Sequence, residues 1–413
     1  MGATPRLSLP HRRCSRRRRW IVTLLTLAVV LALGVLAAVR LRAAVPVVSV
    51  TATMPTSVYV AASKVSLPWP ATGQSAIAVP SIGVDVTSGL EQAVPIASLT
   101  KLMTAYLILR DHPLPLGEDG PRLTMTQTDL NDFETDTVED QANAQVAVGE
   151  VLTERQLLEG LLVHSADNFA DTLARWDAGD IPTFVAKMNA TATLLGMRHT
   201  HYADPSGFDQ GSLSTAADLL KVAALDMDDP TFASIVRMSS VTLPVAGTIS
   251  TYTPWLGFQG VIGVKSGFTT AAGGCDVVAV TRRVQGKKAM ILAAVTGQTG
   301  PDVLAVAGYL ALNLADHVDV SIGAAPIIRA GEQVAVVRVA GHTVAATAAS
   351  TVTMLTWPGV SARRAFQGRN IRAGAGGGTR IGAVVLALGR QRAVVQVRLQ
   401  RALPKPTLLQ RLF

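Results

Sequence analysis

Ile96-Ala97-Ser98-Leu99-Thr100-Lys101-Leu102-Met103-Thr104 sets a serine three residues ahead of a lysine, at the head of a periodic run, Leu99–Arg110, that predicts a helix. Residues three apart share a helix face, so the spacing brings a hydroxyl within reach of an amine. A serine hydroxyl is a weak nucleophile at neutral pH, and a lysine that has lost its charge through burial or nearby cations can act as its base. A first-turn position also aims the positive end of the helix dipole at an oxyanion forming on a substrate. Taken alone, the same tetrad describes a capped helix start followed by a solvated lysine.

Two more clusters have complementary chemistry. Val264-Lys265-Ser266-Gly267 falls on a predicted strand bounded by Gly263 and Gly267. A cation and a hydroxyl projected from one strand can clamp a carboxylate, and the glycine lets a peptide approach the strand edge. By itself the triplet also reads as an exposed turn lysine. His164-Ser165-Ala166-Asp167-Asn168-Phe169 stands inside or just past a helix that Thr153 and Gln156 open with a capping box. Its hydroxyl can pass a proton between Lys101 and a leaving nitrogen, while Asp167 and Asn168 can hold a substrate backbone. Read alone, it is a capping motif.

In order and separation the three clusters resemble those of the penicillin-binding proteins and serine β-lactamases: Ser-x-x-Lys, then Ser-x-Asn, then Lys-Thr/Ser-Gly. Ile96–Thr104, Asp204-Pro-Ser-Gly-Phe208 and Gly263-Val-Lys-Ser-Gly-Phe-Thr269 are similar to the D-alanyl-D-alanine carboxypeptidase branch, peptidase S11. Residues 75–320 carry the resemblance. It implies Ser98 as nucleophile, Lys101 as general base and Ser165 as proton relay. It further implies Lys265 with Ser266 as carboxylate anchor, beside Gly267, and an oxyanion hole from the backbone N–H groups of Ser98 and Phe268. The partners implied are peptidoglycan stem peptides, cleaved by the carboxypeptidase reaction, and β-lactams, with no cofactor. The family's Asn is replaced by Asp167, which loses an amide donor and adds a charge that two nearby lysines offset. An endopeptidase, a β-lactamase, whose deacylating carboxylate is not assigned to Glu139 or Glu150 although both precede the Ser165 cluster, and an inactive wall-binding sensor are the alternatives.

Outward from these clusters, strands are expected at 75–86, 260–264, 275–283 and 288–296, with helices at 182–195, 215–224 and 302–316 between or after them. This is an α/β pattern built on an antiparallel sheet, of the β-lactamase/penicillin-binding transpeptidase-like kind. Residues 324–413 alternate or run apolar over 334–339, 343–348, 352–357, 381–388 and 393–399, which predicts a small all-β C-terminal domain. Residues 40–74 lack helical period and are expected as an external spacer.

The net charge of +8 is an end effect. Residues 1–42 hold nine arginines and no acid, residues 43–323 hold 15 basic and 28 acidic residues, and residues 324–413 hold 13 basic residues and the acid Glu332 alone. That distribution argues against nucleic acid as the partner. Arg16–Arg19 followed by the uncharged Trp20–Val39 predicts a transmembrane helix, with 1–19 a cytoplasmic leader and the rest extracytoplasmic. The basic tail suits anionic lipid headgroups, wall polymers, solvated strand faces or pairing with the acidic middle. Cys14 and Cys275 fall on opposite sides of the span, so Cys275 is expected as an inert core thiol. The seven histidines form no metal-ligand pattern.

Overall fold

The computed structural model of the chain describes residues 14–43, 47–89, 91–405 and 407. Five antiparallel strands form the central sheet in the order Val261–Thr269, Gly273–Val284, Lys287–Gln298, Gln74–Val79, Val84–Thr87. The N-terminal hairpin closes onto the C-terminal one, with Ala78 opposite Leu292. Along the second strand Cys275, Val277 and Ala279 enter one core while Val278 and Val280 enter the other. Period-two alternation with both faces covered reads in sequence as a continuous apolar run.

One face carries the helices Lys101–Asp111, Glu154–Val163, Asp167–Ala178, Ile181–Leu194 and Ala216–Asp226, and the other carries Val303–Asp319. Thr153 and Gln156 form the reciprocal cap expected of them. The helices Gln127–Val138, Asp167–Ala178 and Pro230–Ile235 were not expected. The first is opened by Thr126 and Asp129 in a capping box that uses the shorter acid, ahead of few apolar positions.

The C-terminal unit is a seven-stranded sheet in the order Ser49–Ala52, Gln333–Val339, His342–Ala348, Gln391–Leu399, Arg380–Leu388, Ser361–Gly368, Ser57–Tyr59. A two-stranded sheet, Gly323–Ile328 with Val352–Thr356, accompanies it. Two of these strands correct the expectation of a spacer over 40–74. Ser49–Ala52 pairs with 335–338 and Ser57–Tyr59 with 361–363. Strands of four and three residues, paired with partners about three hundred positions downstream, leave no local period to read. The Gly389-Arg390 turn of this sheet packs on the unit built around the five-stranded sheet. An ideal Cβ on Gly389 would lie 2.2 Å from the Ile82 carbonyl carbon, and Arg390 forms an ion pair with Asp228.

The helix Cys14–Ala43 contains the stretch Arg17–Val39, whose mean hydropathy reaches 2.8 and none of which is buried in the protein, so it is long and apolar enough to cross a membrane. The leader up to residue 13 and the tail beyond 407, Arg411 included, lie outside the described residues.

Candidate active site

Ser98 sits in a single 3₁₀ turn, Ala97–Thr100, that runs directly into the Lys101–Asp111 helix. Ala97 is held at φ 48°, a left-handed backbone that costs a non-glycine residue on the order of 1–3 kcal/mol and persists only where its surroundings enforce it. The neighbour that presses on it is Gly207, where a Cβ would lie 1.9 Å from the Ala97 carbonyl oxygen. On the other side Gly267 abuts the nucleophile, and a Cβ there would stand 2.7 Å from the Ser98 nitrogen. Both glycines are needed for close approach, since any side chain would fill the space in front of the serine.

Lys101 is fully buried, and three donors of its ammonium are used. It donates to Ser98 Oγ at 3.0 Å and to the Ser206 carbonyl at 2.8 Å, and forms an ion pair with Asp167. Burial pushes the Asp167 carboxyl above its usual range, against the pull of Lys101 and its hydrogen bond. Lys265, also buried, has its ammonium pushed down to about 7 by desolvation and then by the charge of Lys101. Its Nζ donates to the Ser266 carbonyl at 2.7 Å. The charges of the two lysines act on each other, with the buried carboxylates Asp167 and Asp276 opposing them at Lys265, and an anionic group entering beside Lys265 would favour its charged form.

Ser165 joins two helices at φ 65°, and its buried hydroxyl has no hydrogen-bond partner among the described residues. Asn168 corrects an expectation. Its amide nitrogen donates to the Ala144 carbonyl at 2.9 Å and its oxygen accepts from the Ala144 N–H at 3.1 Å, so it fastens the 139–150 loop instead of facing a substrate. Ser266 donates to the Tyr252 carbonyl at 2.8 Å, so its hydroxyl is engaged behind the strand in the free site. Phe268 is half exposed on the same strand. The expected strand end at Gly267 is also corrected, because pairing continues to Thr269.

The Asp204–Phe208 segment, which has turn composition, is part of the site. Asp204 Oδ2 accepts from the Ser206 hydroxyl and from the N–H groups of Gly207 and Phe208 at 2.6–3.0 Å, shaping a tight loop. The Thr104 hydroxyl pins it through the Pro205 carbonyl at 2.7 Å. The loop so formed delivers the Ser206 carbonyl to Lys101. Beyond Asp167 a cleft of 270 Å³ is lined by Asp132, Asp136, Asp171 and Asp204. Burial first, and then the charge of Asp167, push Asp136 up to about 7.

His164 caps its helix, donates from Nδ1 to the Ser250 carbonyl and stacks on Tyr252. Glu139 bonds Gln141, and Glu150 holds the N–H groups of Ala147 and Val245, so both acids are engaged away from Lys101. Cys275 is a free, buried thiol pushed up to about 12 by burial. Among the described residues no group of three or more His, Cys, Asp or Glu is placed to hold a metal ion.

A serine at a helix start, hydrogen-bonded to a buried lysine and overlooked by a second lysine on the sheet edge, defines a serine peptidase of the penicillin-binding and β-lactamase-like fold. Residues 83–299 match the family described as D-alanyl-D-alanine carboxypeptidase, peptidase S11, and since they make up just over half of the chain, the protein belongs to that family. It is 33% identical over 202 residues to the D-alanyl-D-alanine carboxypeptidase of Streptomyces sp. strain K15, spanning 45% of this chain and 67% of that protein. To a D-alanyl-D-alanine endopeptidase of Pseudomonas aeruginosa it is 33% identical over 199 residues, spanning 46% of this chain and 60% of the relative. The crystal structure of the D-alanyl-D-alanine carboxypeptidase DacD from Francisella tularensis superposes with a TM-score of 0.57 at 17% identity. It covers 83% of this chain and 96% of that one, and shows a common fold that extends beyond the catalytic unit.

Proposed function

We propose that the chain is a membrane-anchored serine carboxypeptidase that removes the terminal D-alanine of peptidoglycan stem peptides and is acylated by β-lactams. The observation that carries this reading is the fully buried Lys101 bonded to Ser98 Oγ at 3.0 Å. Lys101, as the amine, takes the Ser98 proton while Oγ attacks the carbonyl carbon between two D-alanines. Backbone N–H groups of Ser98 and Phe268 receive the oxyanion, and Ser165 passes the proton to the departing amine. Lys265 holds the terminal carboxylate, after which water hydrolyses the ester. The Cys14–Ala43 helix is an uncleaved anchor, with its basic flank cytoplasmic and the catalytic unit outside.

Fluorescent penicillin labelling, followed by assays of free D-alanine from a pentapeptide and of cleavage of a cross-linked dimer, tests this. D-alanine release with labelling is expected. Dimer cleavage alone would move the enzyme to the endopeptidase reading favoured by the Pseudomonas relative, labelling without either product would make it a sensor, and no labelling would sink the acyl-enzyme.

Asp167→Asn is expected to accelerate acylation at neutral pH. The substitution keeps the shape and an acceptor for Lys101, but removes the negative charge from the buried pair. Freed from that ion pair, the lysine nitrogen is left to Ser98 Oγ, and a gain of about tenfold is expected in the rate of penicillin labelling, equivalent to about 1.4 kcal/mol for one charge contact removed. An unchanged or slower rate would show that the aspartate is not a brake.

A further inference from the structure

The C-terminal sheet has two unlike ends. Its Gly389-Arg390 turn rests on the catalytic unit. At the opposite end Ser49 lies beside Arg338, Arg338 beside Thr343, and the Arg401 guanidinium donates to the Thr343 carbonyl at 3.3 Å. Arg380 and Arg398 are cross-strand neighbours where the last two strands finish, level with Thr347 and so four residues along the strand from Thr343, and Arg369 follows the strand that finishes beside them. All of these arginines are exposed, and none meets a carboxylate among the described residues. The unit's one acid, Glu332, is bound to Arg364. Nine-residue strands put the far end roughly 30 Å from the Gly389-Arg390 turn that rests on the catalytic unit.

The same end receives the membrane helix. That helix ends at Ala43, and the first strand begins at Ser49 opposite Arg338. The five intervening residues can span at most about 20 Å. We propose that this arginine-bearing end of the C-terminal unit docks on anionic phospholipid headgroups of the bilayer that the Cys14–Ala43 helix crosses, a proposal that rests on the anchor reading above. The tether holds a concentrated positive charge close to that surface, where each arginine adds to the attraction and salt screens it. A soluble anionic wall polymer would match the charge, but the short tether favours the lipid.

The test uses the full chain with Cys14→Ser and a fluorophore on His342→Cys, exposed at the start of the strand that follows the turn at that end, reconstituted into vesicles that carry a nitroxide headgroup quencher. Quenching is expected to be strong in phosphatidylglycerol vesicles, weak in phosphatidylcholine, and relieved at about 0.5 M salt, where the screening length falls to about 4 Å. At about 1 kcal/mol for each arginine near the surface, or fivefold, the triple variant Arg338→Gln/Arg398→Gln/Arg401→Gln should weaken docking about a hundredfold. D-alanine release in detergent should stay unchanged. Flotation with vesicles of both lipids but with equal quenching, or full quenching retained in the triple variant, would overturn the docking and keep the anchor. Retention on poly(glycerol phosphate) without lipid dependence would likewise overturn it in favour of a wall polymer. Flotation with phosphatidylglycerol alone, and only at low salt, would overturn the anchor while supporting the docking.

Discussion

Ser98→Ala should abolish covalent labelling by fluorescent penicillin and lower D-alanine release by a factor on the order of 10⁶, the scale reached when a serine hydrolase loses its nucleophile. The variant should still fold, because Ser98 is only partly buried and Lys101 keeps its bonds to Asp167 and the Ser206 carbonyl. Surface substitutions of this kind usually shift stability by no more than about 0.5 kcal/mol. Binding should survive without reaction, since Lys265 remains to meet the substrate carboxylate. Equilibrium binding of a stem-peptide analogue should therefore be retained while turnover vanishes. Persistent labelling in Ser98→Ala, for instance through the unpartnered hydroxyl of Ser165, would refute the assignment of the nucleophile.

What sequence made visible here was whatever a short segment encodes by itself. The Thr153 and Gln156 cap, the apolar run at Cys275–Val280 and the spacing of Ser98 and Lys101 are local, and each was found in place. Three kinds of feature stayed hidden. Backbone groups have no side-chain signature, so the Ser206 carbonyl on Lys101 could not be read, although Thr104 one turn along the same helix was the residue pinning its loop. Adjacent polar residues can have opposite destinies: Asp167 turns inward to Lys101 while Asn168 is consumed by Ala144. The edge strands at 49–52 and 57–59 owe their existence to partners near the other end of the chain. Their discovery changes the functional picture, because the chain that leaves the long apolar helix at Ala43 enters the basic sheet at Ser49.

Lys101→Met joins catalysis to stability. Methionine fills most of the lysine's volume without a donor, so the base is lost and acylation should fall by about 10⁴, the upper range for general-base removal. Asp167 is left as a buried carboxylate without its counter-ion, a loss that costs about 3–5 kcal/mol when one partner of a buried pair is removed. Burial already raises the Asp167 carboxyl, with Lys101 opposing the rise, so deleting the lysine raises it further. A group whose folded-state pKa exceeds its unfolded value gives its full stability below the unfolded value, near 4, and loses it as pH climbs through the folded one. The melting-temperature deficit of the variant should therefore be largest at pH 8 and shrink toward pH 5. Adding Asp167→Asn to Lys101→Met should restore most of the stability at pH 8, because no buried charge remains, while leaving acylation as slow as in the single variant. A deficit independent of pH, or a double variant no more stable than the single one, would mean that Asp167 is not the group Lys101 neutralises, and the charge balance assigned to the cavity would be wrong.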